Sequence, residues 1–187
     1  MEKMKPYIHI HAFPHGEGAT YSALARAIQL SLVEDNIIKV ATSTRRELDE
    51  LFMRLRDMLL PMKYHTVSEI PTGKKVDFVV GSSIEITTAT RQGFGETDFN
   101  KLVMDGIDLM ETERKTKERL KFLEEYLPSL RPSDGDSVDI YVSYSEDELP
   151  RAASESTEAC VERVLRSRCD VHGLFEKGEA DIDFHRL

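Results

Sequence analysis

Pro14-His-Gly-Glu-Gly-Ala-Thr20 sets two glycines and a threonine between the apolar run Tyr7-Ile-His-Ile-His-Ala-Phe13 and a helix-forming stretch that begins near Tyr21. A strand, a Gly-rich turn and a helix in that order aim main-chain N–H groups at a helix N-terminus, where they hold phosphate. That chemistry asks for glycines so that the backbone can wrap the phosphates, a lysine for the β- and γ-phosphates, and a Ser or Thr for magnesium. Gly18 and Thr20 occupy the required frame, whereas Phe13 replaces the first glycine, Ala19 replaces the lysine and Glu17 adds negative charge. Two readings stay open. One is a phosphate cradle formed by Gly16, Gly18, Ala19 and Thr20 that has lost its cation; the other is a plain strand-to-helix turn that uses its glycines for sharp dihedrals.

Further residues could complete such a site. Lys101-Leu-Val-Met-Asp105 reads as an apolar strand ending in an acid, so that Asp105 and Thr20 would share a magnesium ion. Gly106 follows where hydrolases of this type commonly carry a glutamate, and Asp108 is the available substitute. Arg91, in the polar loop Arg91-Gln-Gly-Phe-Gly-Glu-Thr97, is the cation best placed to stand in for the missing lysine. Separately, His9, His11 and His15 form His-x-His-x-x-x-His. His9 and His11 point to one face of a strand, a geometry that binds zinc and resembles the first-strand signature of metal-dependent amidohydrolases. Those enzymes need a barrel of about 250 residues with further ligands on later strands, and only His65, His172 and His185 remain here. A histidine-bound metal hydrolase is therefore one reading, and hydrogen-bonded strand histidines the other.

The bulk properties bound these readings. A chain of 187 residues builds one domain with a real core. Its net charge of −9, with acids dominating after Asp134, opposes strong independent nucleic-acid binding but leaves room for a local basic site. No apolar run reaches membrane-span length and no signal-peptide core is visible, so the expectation is a cytoplasmic protein without membrane partners. Cys160 and Cys169 lack metal-motif spacing and read as reduced thiols.

The elements that must position these groups follow from periodicity. Tyr21, Leu24, Ala25, Ile28 and Leu32 fall on one helical face, and Ile37–Thr42 is a buried strand. Thr44 and Glu47 have capping-box spacing and open a helix with Leu48, Leu51, Phe52, Leu55 and Leu59 on one stripe, ended by Pro61. Val76–Val80 and Ile84–Thr90 flank Gly81-Ser82 as a hairpin. A helix over Glu111–Leu130 buries Leu120, Leu123, Leu127 and Leu130; Ser133–Ser137 is a loop, Val138–Ser143 a strand and Ser154–Arg168 a helix. The acidic segment Glu176–Asp183 reads as a partly disordered tail or one docked on the domain's own basic loops. Strands alternating with amphipathic helices predict an α/β fold: an open, mostly parallel sheet with helices on both faces and an inserted β-hairpin. Ligands of such folds sit at the carboxyl ends of the strands, where Gly16, Gly18, Thr20, Thr42, Thr44, Asp105 and Ser143 would gather. The expected division is a domain over 1–150 and a C-terminal helix and acidic tail over 151–187.

The order of these motifs resembles the RecA-like P-loop ATPase core shared by viral terminase large subunits and superfamily 1 and 2 helicases. The matching residues are Gly16–Thr20, Val40-Ala-Thr-Ser-Thr-Arg-Arg46, Ser82–Thr87, Arg91–Gly95, Leu102–Asp105 and Tyr141-Val-Ser-Tyr-Ser145, spanning roughly 7–145. The resemblance implies ATP and magnesium as ligands, Ser143 as the sensor of the γ-phosphate, and Arg45 and Arg46 as contacts to a nucleic-acid backbone. Beside Glu47 and Asp49 the two arginines also read as ordinary surface charges. With the lysine and the glutamate gone, the resemblance implies weak or absent nucleotide binding. Three functions follow in order: a degenerate, virus-encoded terminase- or helicase-related module that binds a protein or nucleic acid, an active ATPase with Arg91 as its cation in an oligomer, and the metal hydrolase.

Overall fold

The computed structural model describes residues 7–62, 65–94, 99–126, 137–169, 173 and 175–186. Its strands β1 (Tyr7–Pro14), β2 (Ile37–Thr42), β3 (His65–Ile70), β4 (Gly73–Phe78), β5 (Ser83–Thr88), β6 (Lys101–Asp108), β7 (Ser137–Tyr144) and β8 (Ala180–Phe184) hydrogen-bond in the order β3-β4-β5-β2-β6-β7-β1-β8, the expected α/β architecture with a mostly parallel sheet. Two compact units divide the chain, one formed by Met1–Ala19 with Gly106–Leu187 and the other by Thr20–Asp105.

The unit Thr20–Asp105 contains most of helix α1 (Ala19–Ser31), strand β2 (Ile37–Thr42), helix α2 (Arg45–Leu59), strands β3 (His65–Ile70), β4 (Gly73–Phe78) and β5 (Ser83–Thr88), the short helix α3 (Arg91–Phe94) and the start of β6 (Lys101–Asp108). β2 pairs in parallel with β5 and β6, with Val40 opposite Ile86 and Val103. Ile38, Lys39, Val40 and Ala41 are all enclosed, so β2 is covered on both faces, as a central parallel strand must be. The expected stripe of α2 is the buried one, and its capping box is present in full: Thr44 accepts from the Glu47 N–H while Glu47 reaches back to the cap.

Three details differ from the sequence expectation. α1 buries Ala23, Leu24, Ala27, Leu30 and Ser31 and exposes Tyr21, and Leu32, just past its end, is exposed as well. Of the predicted stripe Leu24 is buried and Ala25 and Ile28 are half-buried, so the true face is rotated from it toward Ala23, Ala27 and Leu30. The hairpin is a three-stranded meander, because β3 pairs antiparallel with β4 as β4 does with β5; β3 is an exposed, mostly polar strand with little hydrophobic signal. The polar loop contains α3, and its residues 95–98 lie outside the described part.

The other unit contains β1 (Tyr7–Pro14), the end of β6, α4 (Glu113–Tyr126), β7 (Ser137–Tyr144), α5 (Thr157–Cys169) and β8 (Ala180–Phe184). β1 lies between β7 and β8, parallel to both, with Ile10 opposite Ile140 and Ile182. Ile8, Ile10, Ala12, Val138, Ile140 and Val142 are buried, so alternate residues form one apolar sheet face. The expected acidic tail is instead an edge strand. In Ala180-Asp-Ile-Asp-Phe184 the apolar residues fall at every second position, and the acids take the opposite face. Ser137, read as loop, opens β7. The predicted leucines 127 and 130 and the side chain of Leu123 lie outside the described part, whereas Leu120 is buried. Cys160 is a free, buried thiol, and the side chain of Cys169 is likewise outside the described part.

Candidate functional site

The turn after β1 is held from two sides within its own unit. The His15 N–H donates to the Tyr144 carbonyl at 2.8 Å, extending the β1–β7 ladder by one step, and the Glu17 N–H donates to the Pro14 carbonyl at 3.2 Å. Gly16 and Gly18 have φ of 79° and 87°, whereas His15, Glu17 and Ala19 have none of this left-handed character. Alternating handedness along a main chain is the feature from which anion-receiving nests are built, with the Glu17 N–H here turned back to the Pro14 carbonyl. A Cβ at either glycine would meet nothing within 4 Å, so dihedral freedom, not crowding, is what these positions need.

Asp108 closes the rim beside this turn. Its Oδ1 accepts from His15 Nε2 at 3.0 Å and from the Met110 N–H at 2.8 Å. The Leu109 N–H donates to the Ser143 carbonyl at 2.9 Å, and Ser143 is the register partner of Phe13. Gly16, Gly18, Ala19, Asp108 and Ser143 therefore gather at the carboxyl ends of β1, β6 and β7. The link through His15 was missed in the sequence, where that histidine was grouped with metal ligands.

Asp105 is not the end of its strand, which corrects the sequence reading. Gly106 takes φ of 82° and the strand runs on through buried Ile107 to Asp108. Asp105 is enclosed in the strand interior and belongs to the unit that also holds Thr20, Arg45, Arg46 and Arg91. Thr20 is the second residue of α1. Arg45 and Arg46 are exposed at the start of α2, and Arg46 Nε donates to Glu50 Oε1 at 3.0 Å, one helical turn on. Arg91 opens α3, and its side chain lies outside the described part. At the end of β2, the Thr42 hydroxyl and the Ser43 and Thr44 N–H groups all donate to Glu47 Oε2.

Lys39 is a fully enclosed cation of this unit that the sequence does not mark out. Lys39, in the middle of β2, donates to the Phe94 carbonyl at the end of α3. Its Nζ lies 3.8 Å from Glu85 Oε2 and over the rings of Phe94 and Phe99. Burial lowers the Lys39 pKa, and the Glu85 carboxylate works against that shift. A side chain with no solvent exposure tethers α3 to the sheet and does not reach a ligand.

His9 and His11 do share a face of β1, their rings stacked at 6.3 Å, but His15 does not join them. Because the strand continues to Pro14, His15 stands in the turn. His11 Nε2 lies 2.9 Å from Asp139 Oδ1 and its Nδ1 lies 3.1 Å from His185 Nε2. A carboxylate only accepts, so Nε2 of His11 carries its proton and Nδ1 accepts from His185. Burial, and then the neighbouring His11, lower the pKa of His185. Asp139, Asp181, Asp183 and His185 were not singled out in the sequence, although the alternation in β8 was there to read.

No family model matches the chain, and no curated protein does. Solved structures do. The large terminase of a thermophilic bacteriophage, in its crystal form 3, superposes with a TM-score of 0.54 at 9% identity, covering 96% of this chain and 39% of the terminase chain. The same protein in complex with ATP-gamma-S superposes with a TM-score of 0.56 at 10% identity and the same coverage. The chain is thus similar in fold to a terminase and spans well under half of its length. Among the described residues, no helix is long and apolar enough to cross a membrane.

Proposed function

We propose that this chain is a terminase-like nucleotide-fold domain that engages a phosphate-bearing ligand weakly through the main chain of Pro14–Thr20, does not hydrolyse it, and works as a binding or regulatory module for a protein or nucleic-acid partner. The observation that carries the reading is the turn itself: left-handed Gly16 and Gly18, open space outside both, and alanine at position 19. The likeness to a terminase solved with ATP-gamma-S supports a nucleotide as the ligand class, and the phage source of that neighbour supports a viral origin.

The residues fit the group in part. The backbone suits a phosphate, as does the helix that begins at Ala19. The side chains do not suit hydrolysis. Ala19 stands where a lysine would meet the developing charge, Glu17 is a carboxylate in the turn, and the Asp108 oxygen that would orient water already accepts two hydrogen bonds. Stabilising charge on a transferring phosphoryl group is where such enzymes gain most of their rate, so these side chains support binding without a hydrolytic step.

Thermal melts with magnesium and ATP-gamma-S test the reading. Ligand at five times its Kd adds about 1 kcal/mol, or roughly 2–4 °C for a chain of this size. A shift of that order at millimolar nucleotide, lost in Gly18→Val, with phosphate release from ATP at the buffer level, is the expected result. Sustained phosphate release that Asp105→Asn abolishes would establish an active ATPase instead.

A further inference from the structure

We infer that His9, Asp181 and Asp183 form a site for one divalent transition-metal ion of the zinc class, bound across the β1–β8 pair. Each residue offers one ligand atom, and these atoms all lie within 4.8 Å of one another. The register places them: His9 is directly opposite Asp181, and Asp183 is opposite His11 two steps along, so all three side chains leave the same face of two hydrogen-bonded strands. His9 Nδ1 and Asp181 Oδ1 are 3.1 Å apart. Ligands at about 2.0–2.2 Å from zinc stand roughly 3.0–3.5 Å from one another, so this pair is already at ligand spacing.

A second observation points the same way. Asp181 Oδ1 is shielded from solvent and makes no hydrogen bond of acceptable geometry among the described residues, although the imidazole nitrogen is beside it. The Tyr7 hydroxyl hydrogen-bonds the Asp181 carboxylate, yet the shielded Oδ1 has no hydrogen-bond donor of its own among the described residues; such an oxygen calls for a partner, and a cation held between it and the ring nitrogen provides one. The donor set decides the kind of ion. One imidazole and two carboxylates neutralise a divalent charge, and the imidazole favours zinc and its transition-metal neighbours over magnesium or calcium. The His9 and Asp181 side chains are 35% and 43% exposed, which leaves room for water in the remaining coordination positions.

The site is separate from the phosphate turn, since six strand residues set His9 about 20 Å from His15. It also differs from the histidine triad read from the sequence, which mixed His9 and His11 with a residue of the turn. The ion joins the outermost strand to β1, so its effect is to hold β8 in place.

Isothermal titration of the metal-free full chain with zinc chloride tests this. One ion per chain is expected, with affinity reduced at least about tenfold in His9→Ala and in Asp183→Asn and unchanged in His65→Ala. Amide exchange at residues 180–184 should slow on adding zinc to the wild-type and His65→Ala chains, and not in His9→Ala or Asp183→Asn. Asp183 is exposed and its side chain takes no part in the strand ladder, so Asp183→Asn decides the matter even if His9→Ala does not fold. Absence of binding at about 100 μM zinc, or equal affinity in Asp183→Asn and the wild-type chain, would overturn the inference.

Discussion

Lys39 shows how a single side chain can be read wrongly from its neighbours. In Ile37-Ile-Lys-Val-Ala-Thr42 it looks like one charge interrupting an apolar strand, and the sequence points to Arg91, in a polar loop, as the cation. The fold instead encloses Lys39 completely and matches it with Glu85, its direct register partner on β5, and with the Phe94 carbonyl. Removing one member of a buried pair strands the other, at a cost of about 3–5 kcal/mol, whereas replacing both with apolar residues of similar volume is often close to neutral. Lys39→Ala should therefore lower the urea unfolding free energy by that amount, and Lys39→Met combined with Glu85→Leu should recover most of it. Equal losses in the two variants would show that the lysine has a role beyond its pair. The His15–Asp108 contact is of a different kind: both side chains are over a third exposed, so the pair is worth about 0–1 kcal/mol at most. Its meaning is geometric, in that it ties the turn to the end of β6.

Among the elements, α5 shows a helix start secured both at its cap, where Ser156 Oγ accepts from the Ala159 N–H at 3.1 Å, and by groups beyond it. Ser154 turns the chain with φ of 66°. Next to it, Glu155 accepts two hydrogen bonds from the Arg163 guanidinium at 2.9 Å and one from the Ala152 N–H at 2.9 Å. Arg163 also donates to the Pro150 carbonyl. The Arg163 hydrogen bonds, followed by that from Ala152, hold the Glu155 carboxyl at about 2, below its usual 4.5. A carboxyl depressed in the folded state stabilises the fold above its unfolded pKa, and that contribution is lost as pH falls through the folded value. In melts at pH 6, 4, 3 and 2, Glu155→Gln should be less stable than the wild-type chain at pH 6, and the gap should close between about 4.5 and about 2. A gap that stays constant with pH would assign the loss to packing. The helix α2 was legible because its signal, a capping box, is local. β3 was not, because a polar, exposed strand exists only through its pairing with β4.

At the scale of the whole molecule, the feature with most consequence is β8. It covers β1 through parallel pairing from Ile8–Ala180 to Ala12–Phe184, and the His185 N–H adds a bond to the Ala12 carbonyl. Arg186 then reaches Glu158 on α5 at 2.6 Å. Without it, β1 would present a row of unpaired N–H and C=O groups, a template for joining another chain. Asp181 and Asp183 place charge on the edge that β8 itself presents, one of the devices by which proteins discourage such joining. Deleting residues 179–187 should therefore produce concentration-dependent association, read by size-exclusion chromatography with light scattering, while the full chain does not change with concentration over the same range. A truncated chain that stays as dispersed as the full one would mean that β1 is protected in another way.

The local code of this chain carried a good deal. The α/β class, the strand of the first glycine turn, β2, the helix α2 with its cap, and the antiparallel insertion all depend on periods and turn residues within a few positions of one another, and these can be read along a line. The phosphate turn was visible too, down to its missing lysine, because the frame of Gly18, Ala19 and Thr20 is itself local. Long-range pairing supplied the rest. Whether β6 stopped at Asp105 or ran on to Asp108, whether the acidic C-terminal segment hung free or became a strand, and whether His9 faced His15 or Asp181 depended on which residues, far apart in sequence, came to lie side by side. Those contacts are set by burial and register in three dimensions; the alternation of Ala180–Phe184 marks a strand, but no spacing within one segment encodes its pairing partner.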